Sequence, residues 1–157
     1  MNGQAKIAPV LVLTYGNPSR GDDALGTAMF DLLEEDPPDN VELITDFQLQ
    51  IEHATDLENR EFILFVDAGV SCAEPFELGR LSAEKDDSFT THAMSPASVL
   101  SVYQQIYHRE PPPAYLLTIR AYEFGLGKNM SDAARKNLAK TYDYLKENPP
   151  WASAISA

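Results

Sequence analysis

Apolar positions along the chain fall into two alternating kinds of segment. Ile7 to Tyr15 (IAPVLVLTY) is a β-branched and leucine run that stops at the turn cluster Gly16-Asn17-Pro18, and it predicts a first strand. Leu25, Ala28, Met29, Leu32 and Leu33 then recur with helical spacing until Asp36-Pro37-Pro38-Asp39 ends the helix. Val41 to Thr45 (VELIT) predicts a second strand, and Ile51 to Leu57 a short helix. Phe62 to Val66 (FILFV) is apolar without alternation, as a central strand covered on both faces should be. Phe76 to Leu81 (FELGRL) is a weaker strand signal, followed by a polar loop from Ser82 to Thr91. Ser95-Pro96 opens a helix with Ser95 as N-cap and Pro96 at the first helical position. Its apolar face is Val99, Leu100, Tyr103 and Ile106, and Pro111-Pro112-Pro113 closes it. Tyr115 to Ala121 (YLLTIRA) predicts a fifth strand, and a last helix runs from Ser131 or Asp132 to about Lys146 with Ser131 as cap. The tail from Pro149 to Ala157 is expected to fray.

The order β-α-β-α-β-β-α-β-α predicts a three-layer α/β/α domain with a mostly parallel five-stranded sheet, occupying residues 1–157 as one unit. No internal repeat or linker interrupts it. In such sheets ligands bind beyond the C-terminal strand ends, where the winding reverses. With the first and third strands adjacent in the middle, that place lies between the loop after Tyr15 and the loop after Val66.

Composition narrows the partners. At 157 residues, 44% hydrophobic and 23% charged, the chain has an ordinary globular balance. A formal net charge of −12 argues against nucleic acid or an anionic membrane as the main partner, and leaves a basic segment, a metal cation or a small molecule. The opening MNGQAKIAPV lacks the layout of a signal peptide. The longest fully apolar stretch, Phe62 to Val66, is far short of the roughly 20 residues that cross a bilayer. Cys72 is the only cysteine, so an internal disulfide is impossible and a cysteine-based metal site is disfavoured. These features together predict a cytosolic protein.

Candidate chemistry gathers at the expected crevice. The loop Gly16-Asn17-Pro18-Ser19-Arg20-Gly21-Asp22-Asp23-Ala24-Leu25-Gly26 superficially resembles a phosphate-binding turn. It lacks the glycine spacing of a dinucleotide fingerprint and the Lys-Ser/Thr of a P-loop, and its paired carboxylates would repel phosphate. Taken singly, Asp22 caps the first helix and Asp23 complements its dipole. Asp67, after FILFV and before Ala68-Gly69, is a turn-forming residue on the same bland view. His92, in Thr90-Thr91-His92-Ala93-Met94-Ser95, is a solvated loop histidine. Taken together, two carboxylates and an imidazole at one rim of the sheet make a site for a divalent transition metal such as nickel or zinc.

At these residues the chain resembles the hydrogenase maturation endopeptidases, which remove a C-terminal extension from the large subunit of nickel-iron hydrogenases. GNPSRGDDALG looks like that family's glycine-asparagine, Asp-Asp/Glu, glycine signature. Phe65-Val66-Asp67-Ala68 resembles its strand-ending Asp, Thr91-His92 its metal-binding His, and Asp46 after VELIT a further acid at that strand end. Where the family often continues with Asp-Gly-Gly-Thr, this chain reads Asp46-Phe47-Gln48-Leu49-Gln50-Ile51-Glu52-His53, which looks like the branch acting on bidirectional or NAD-linked hydrogenases. Ala24 stands where many members have Gly.

The resemblance implies a protease without a permanent metal. Nickel arrives bound to cysteines of the unprocessed large subunit, and Asp23, Asp67 and His92 ligate it from outside. Oxygen and imidazole donors without thiolate hold nickel less tightly than a cysteine-rich site, so they can test it without extracting it. Ser19, Ser71 and Cys72 lie near the rim, but none has a His and an acid in triad order. A metal-polarised or carboxylate-assisted water is preferred as the attacking group, with Asp23 or Asp46 as base. Two other readings use the same crevice: a non-catalytic α/β binding module and a self-contained metallohydrolase. His53 and His108, flanked by polar residues, are expected to be exposed; Cys72 is expected to be a packed or partly exposed thiol. Glu123 to Gly127 is expected to border the cleft or to lead into the last helix.

Overall fold

The computed structural model describes residues 7–85 and 94–155. Five strands form one sheet in the order β2-β1-β3-β5-β4. They are β1 Val10–Tyr15, β2 Val41–Asp46, β3 Phe62–Gly69, β4 Phe76–Arg80 and β5 Ala114–Arg120. The helices are α1 Leu25–Glu35, α2 His53–Asp56, α3 Pro96–Tyr107 and α4 Asp132–Glu147. β2, β1, β3 and β5 are mutually parallel, and only the edge strand β4 runs antiparallel, against β5. The link from β3 to β4 is too short for the crossover that a parallel neighbour needs, so β4 turns back and lies at the far edge.

Alternate residues of the central strands serve two cores. Val10, Val12, Leu64, Val66, Leu117 and Ile119 pack under α1 and α4 with Leu25, Met29, Leu33 and Leu145. Leu11, Leu13, Ile63 and Phe65 pack on the other face with Ala54 of α2 and Val99, Leu100 and Tyr103 of α3. Burial on both faces is why FILFV shows no alternation. Edge position explains the half-exposed pattern of β2. Ser95 accepts a hydrogen bond from the Ser98 amide and Ser131 from the Ala134 amide, so both expected N-caps are present.

β1 starts at Val10 rather than Ile7 and α2 is shorter than the pattern read along the chain, and three further differences bear on the site or the core. β3 continues through Asp67 to Gly69, because β5 pairs with it that far: Asp67 lies opposite Thr118 and Gly69 opposite Arg120. Asp67 is therefore a strand residue, and the turn role open to it from sequence is removed. α3 stops at Tyr107, where His108 adopts the left-handed conformation of a C-cap at φ 55°, before the prolines are reached. The tail does not fray as far as it is described: Trp151 is buried in the α1/α4 core and Ile155 packs against it. A single large aromatic supplies enough apolar area to pin a short segment.

Candidate functional site at the strand-end crevice

The crevice lies where β1 and β3 adjoin and the chain leaves in opposite directions, α1 to one face and α3 to the other. Two glycines set its first wall. Gly16 has φ +148°, and a Cβ there would collide with the Asp23 carbonyl oxygen; a Cβ on Gly26 would collide with the carbonyl oxygen of Tyr15. The loop after β1 is thereby folded tightly back on the strand end, with Asp23 at the rim. The Asp23 Oδ2 accepts the Asn17 amide at 2.8 Å, which fixes the carboxylate from below.

Asp22 and Asp23 face opposite ways. Asp22 is fully buried. It does not cap α1, contrary to the sequence expectation; its oxygens accept the amides of Tyr122 (2.8 Å), Glu123 (3.1 Å) and Ser131 (2.7 Å) and the Ser131 hydroxyl (2.9 Å). Burial alone pushes its pKa up, but these four donors outweigh burial and hold the carboxyl below the usual range. Asp22 thus ties the loop after β1 to the loop before α4. Backbone bonds from Asp22 to Glu123, Gly21 to Lys128 and Gly127 to Ser19 complete that seam. The Glu123–Gly127 segment is therefore a wall bonded to the first loop.

Asp67 points to the α2/α3 face of the sheet, beside Tyr15. The Tyr15 hydroxyl donates to Asp67 Oδ2 at 3.1 Å, and the Ala68 amide to Oδ1 at 2.7 Å. Burial dominates and raises the Asp67 pKa to about 6; the negative charge of Asp23 pushes the same way, against the two hydrogen bonds. Burial, Asp67 and then Asp23 likewise push the Tyr15 hydroxyl up, so it stays protonated and donates. Asp23 and Asp67 are thus close enough to repel. Neither has a basic partner among the described residues.

Asp46 occupies the next place in the same row, since it lies opposite Tyr15 across the β1–β2 pair. Asp46, Tyr15 and Asp67 therefore span three adjacent strands, with the two acids about 10 Å apart at the backbone. The Asp46 Oδ1 accepts the Phe47 amide at 2.7 Å, and Oδ2 lies 3.3 Å from His53 Nε2. His53 is only 6% exposed, which corrects the expectation of a surface histidine. It is buried because α2 lays it beneath the end of β2, a tertiary contact with no local signature. His108 is exposed, as expected.

His92, the third expected ligand, lies outside the described residues. Among those described, no group of three or more His, Cys, Asp or Glu side chains is placed to hold a metal. The carboxylate pair fits a cation in kind: hard oxygen donors, mutual repulsion and a half-buried member. Cys72 is buried, and burial, then Glu77, raise its pKa, so it is a poor nucleophile. Ser19 and Ser71 are exposed. Two residues of this site, Tyr15 and His53, were not singled out for it from sequence. Tyr15 reads as the last residue of an apolar strand, and only the folded chain shows that its hydroxyl is bonded to Asp67.

Among the described residues, no helix is long and apolar enough to cross a membrane. No family model matches the chain, and no curated protein sequence matches it. Solved structures do. A [NiFe] hydrogenase maturation protease HycI from Thermococcus kodakarensis KOD1 superimposes with a TM-score of 0.68 at 18% identity, covering 89% of this chain and 91% of that one. The hydrogenase maturating endopeptidase HybD from E. coli gives a TM-score of 0.63 at 24% identity, over 89% and 93% of the two chains. The HybD [NiFe] hydrogenase maturation protease of Thermococcus kodakarensis gives 0.63 at 19% identity, over 88% and 97%. The chain has the α/β fold of these hydrogenase maturation proteases, a five-stranded, mostly parallel sheet between two layers of helices.

Proposed function

We propose that this chain is an endopeptidase of hydrogenase maturation that removes the C-terminal extension of a nickel-iron hydrogenase large subunit once nickel is in place. The observation that carries this reading is the convergence of Asp23 and Asp67. Two repelling carboxylates, one of them half-buried with a raised pKa, stand at the strand-end crevice without an ion-pair partner among the described residues. Such a pair is relieved by a divalent cation, and the fold is one whose solved neighbours carry the names of hydrogenase maturation proteases.

On this reading the nickel belongs to the precursor. Asp23, Asp67 and His92 approach it from outside while the precursor's own ligands keep hold of it. Tyr15 and the Ala68 amide fix the Asp67 carboxylate before the metal arrives, and Asn17 fixes Asp23. Pre-oriented donors spend less entropy on engagement, so the site responds to a correctly placed ion. A water then attacks the scissile carbonyl, with Asp46 as its base.

His92→Ala is the direct test of the ligand set. Incubated with nickel-loaded precursor, the variant should yield no shortened large subunit by mass spectrometry, while its circular dichroism and melting temperature stay as in the parent. Full processing by the variant would remove His92 from the site. A parent protein that binds precursor without shortening it would indicate a binding module. Stoichiometric metal in the purified protein alone would indicate a self-contained metallohydrolase.

A further inference from the structure

We propose that His53 is a positioning residue for Asp46, holding that carboxylate as the general base of peptide hydrolysis; this rests on the processing function proposed above. The imidazole is locked at both nitrogens. Its Nδ1 accepts the Gln50 amide at 2.8 Å, which places the ring proton on Nε2, and Nε2 faces Asp46 Oδ2 at 3.3 Å. Both nitrogens are therefore in use and the ring is nearly inaccessible, so His53 has no free lone pair to take a proton from water. It acts through Asp46.

Asp46 is the more exposed member of the pair. Its side chain is 36% exposed against 8% for that of His53. Phe47 holds Oδ1 through its amide and His53 holds Oδ2, so the carboxylate plane is fixed while further lone pairs remain open. It lines a hollow of about 230 Å³ together with Thr27, Thr45 and Phe47, roomy enough for a water, whose share of liquid volume is about 30 Å³, beside a peptide group. In this hollow Asp46 takes a proton as the water oxygen bonds to the carbonyl carbon. It returns that proton to the departing amine as the C–N bond breaks. Asp56 is the other acid within electrostatic range of the imidazole, and it belongs to the short helix that carries His53.

Tyr15 stands between Asp46 and Asp67 in the strand register. The register thus separates Asp46, the carboxylate that would drive hydrolysis, from Asp67, which would meet the cation, by about two strand spacings at the backbone. Substitution at His53 should slow cleavage without touching metal recognition.

The test compares His53→Phe, His53→Gln, Asp46→Asn and the Asp46→Asn/His53→Phe double variant on nickel-loaded precursor. A positioned base contributes about 10²- to 10⁴-fold, so His53→Phe, which keeps the base but frees it, should lower kcat on the order of 10- to 100-fold with KM within about twofold. The Gln side chain can donate to Asp46 and should restore kcat to within about fivefold of the parent. The double variant should be no slower than Asp46→Asn alone. Parental kcat in His53→Phe, a Gln variant as slow as Phe, or additive losses in the double variant would each overturn the assignment. If His53→Phe fails to fold, His53→Leu takes its place with the same expected loss and the same contrary results. A parent protein that leaves the precursor uncut overturns the processing function; a cutting parent with an equally fast His53→Phe overturns this assignment alone.

Discussion

Asp67→Asn is expected to abolish processing of the nickel-loaded precursor and at the same time to stabilise the protein. The two effects share one cause. Burial, reinforced by the negative charge of Asp23, raises the folded-state pKa of Asp67 from 3.8 to about 6. A carboxylic acid whose pKa is raised on folding costs stability wherever it is ionised. Between about pH 4 and pH 6 the folded chain holds a proton that the unfolded chain has released, so stability falls as pH rises through that window. Above it the full cost applies. The neutral amide removes that cost, and after allowance for solvent screening the gain is about 1–2 kcal/mol at pH 7. For a chain of this size that raises Tm by roughly 3–6 °C. Activity should fall on the order of 100-fold or more, because the amide removes one charged donor from the cation site. Differential scanning calorimetry at pH 4.5 and pH 7.5, beside a cleavage assay, checks both halves. A variant less stable than the parent at pH 7.5 would show that Asp67 is already compensated within the folded chain.

The adjacent pair gives the opposite expectation at Asp22. Asp22→Ala leaves the amides of Tyr122, Glu123 and Ser131 and the Ser131 hydroxyl without their acceptor in a fully buried position. A loss of about 3–5 kcal/mol follows, read as a lower urea midpoint. The sign with pH is also reversed. Asp22 is held below the usual carboxyl range, so its contribution is complete above about pH 4 and disappears as pH falls through its depressed folded value. Asp23→Ala, one residue on, should leave the midpoint nearly unchanged, since among the described residues Asp23 accepts only the Asn17 amide. Equal losses at the two positions would contradict the division of labour between them.

These two predictions mark where sequence stopped being informative. Among the described residues, the five strands and four α-helices of the three-layer fold were legible in order, most of them because a periodicity or a cap acts locally. FILFV announced a strand covered on both faces, and Ser95 and Ser131 announced helix starts. Local signals could not tell Asp22 from Asp23. Which of two neighbouring acids is swallowed depends on the partner amides of Tyr122, Glu123 and Ser131, far along the chain.

Long-range placement also hid the supports of the site. Asp67 could be named from its place after an apolar strand and Asp23 from its place at the first helix entrance, and the family resemblance added Asp46. The Tyr15 hydroxyl on Asp67 could be placed only from the packing of neighbouring strands, and the buried His53 only from the seating of α2 against β2. Trp151 pins a tail that its composition had marked as loose. His92, the one expected ligand in the segment between 85 and 94, lies outside the described residues and rests on the resemblance.

The central claim is that the crevice acts on a precursor whose nickel is already in place. Purified protein should be incubated with nickel-loaded and nickel-free large-subunit precursor, and the product masses compared. The account predicts a shortened chain from the nickel-loaded precursor alone. Equal shortening of both precursors would contradict it.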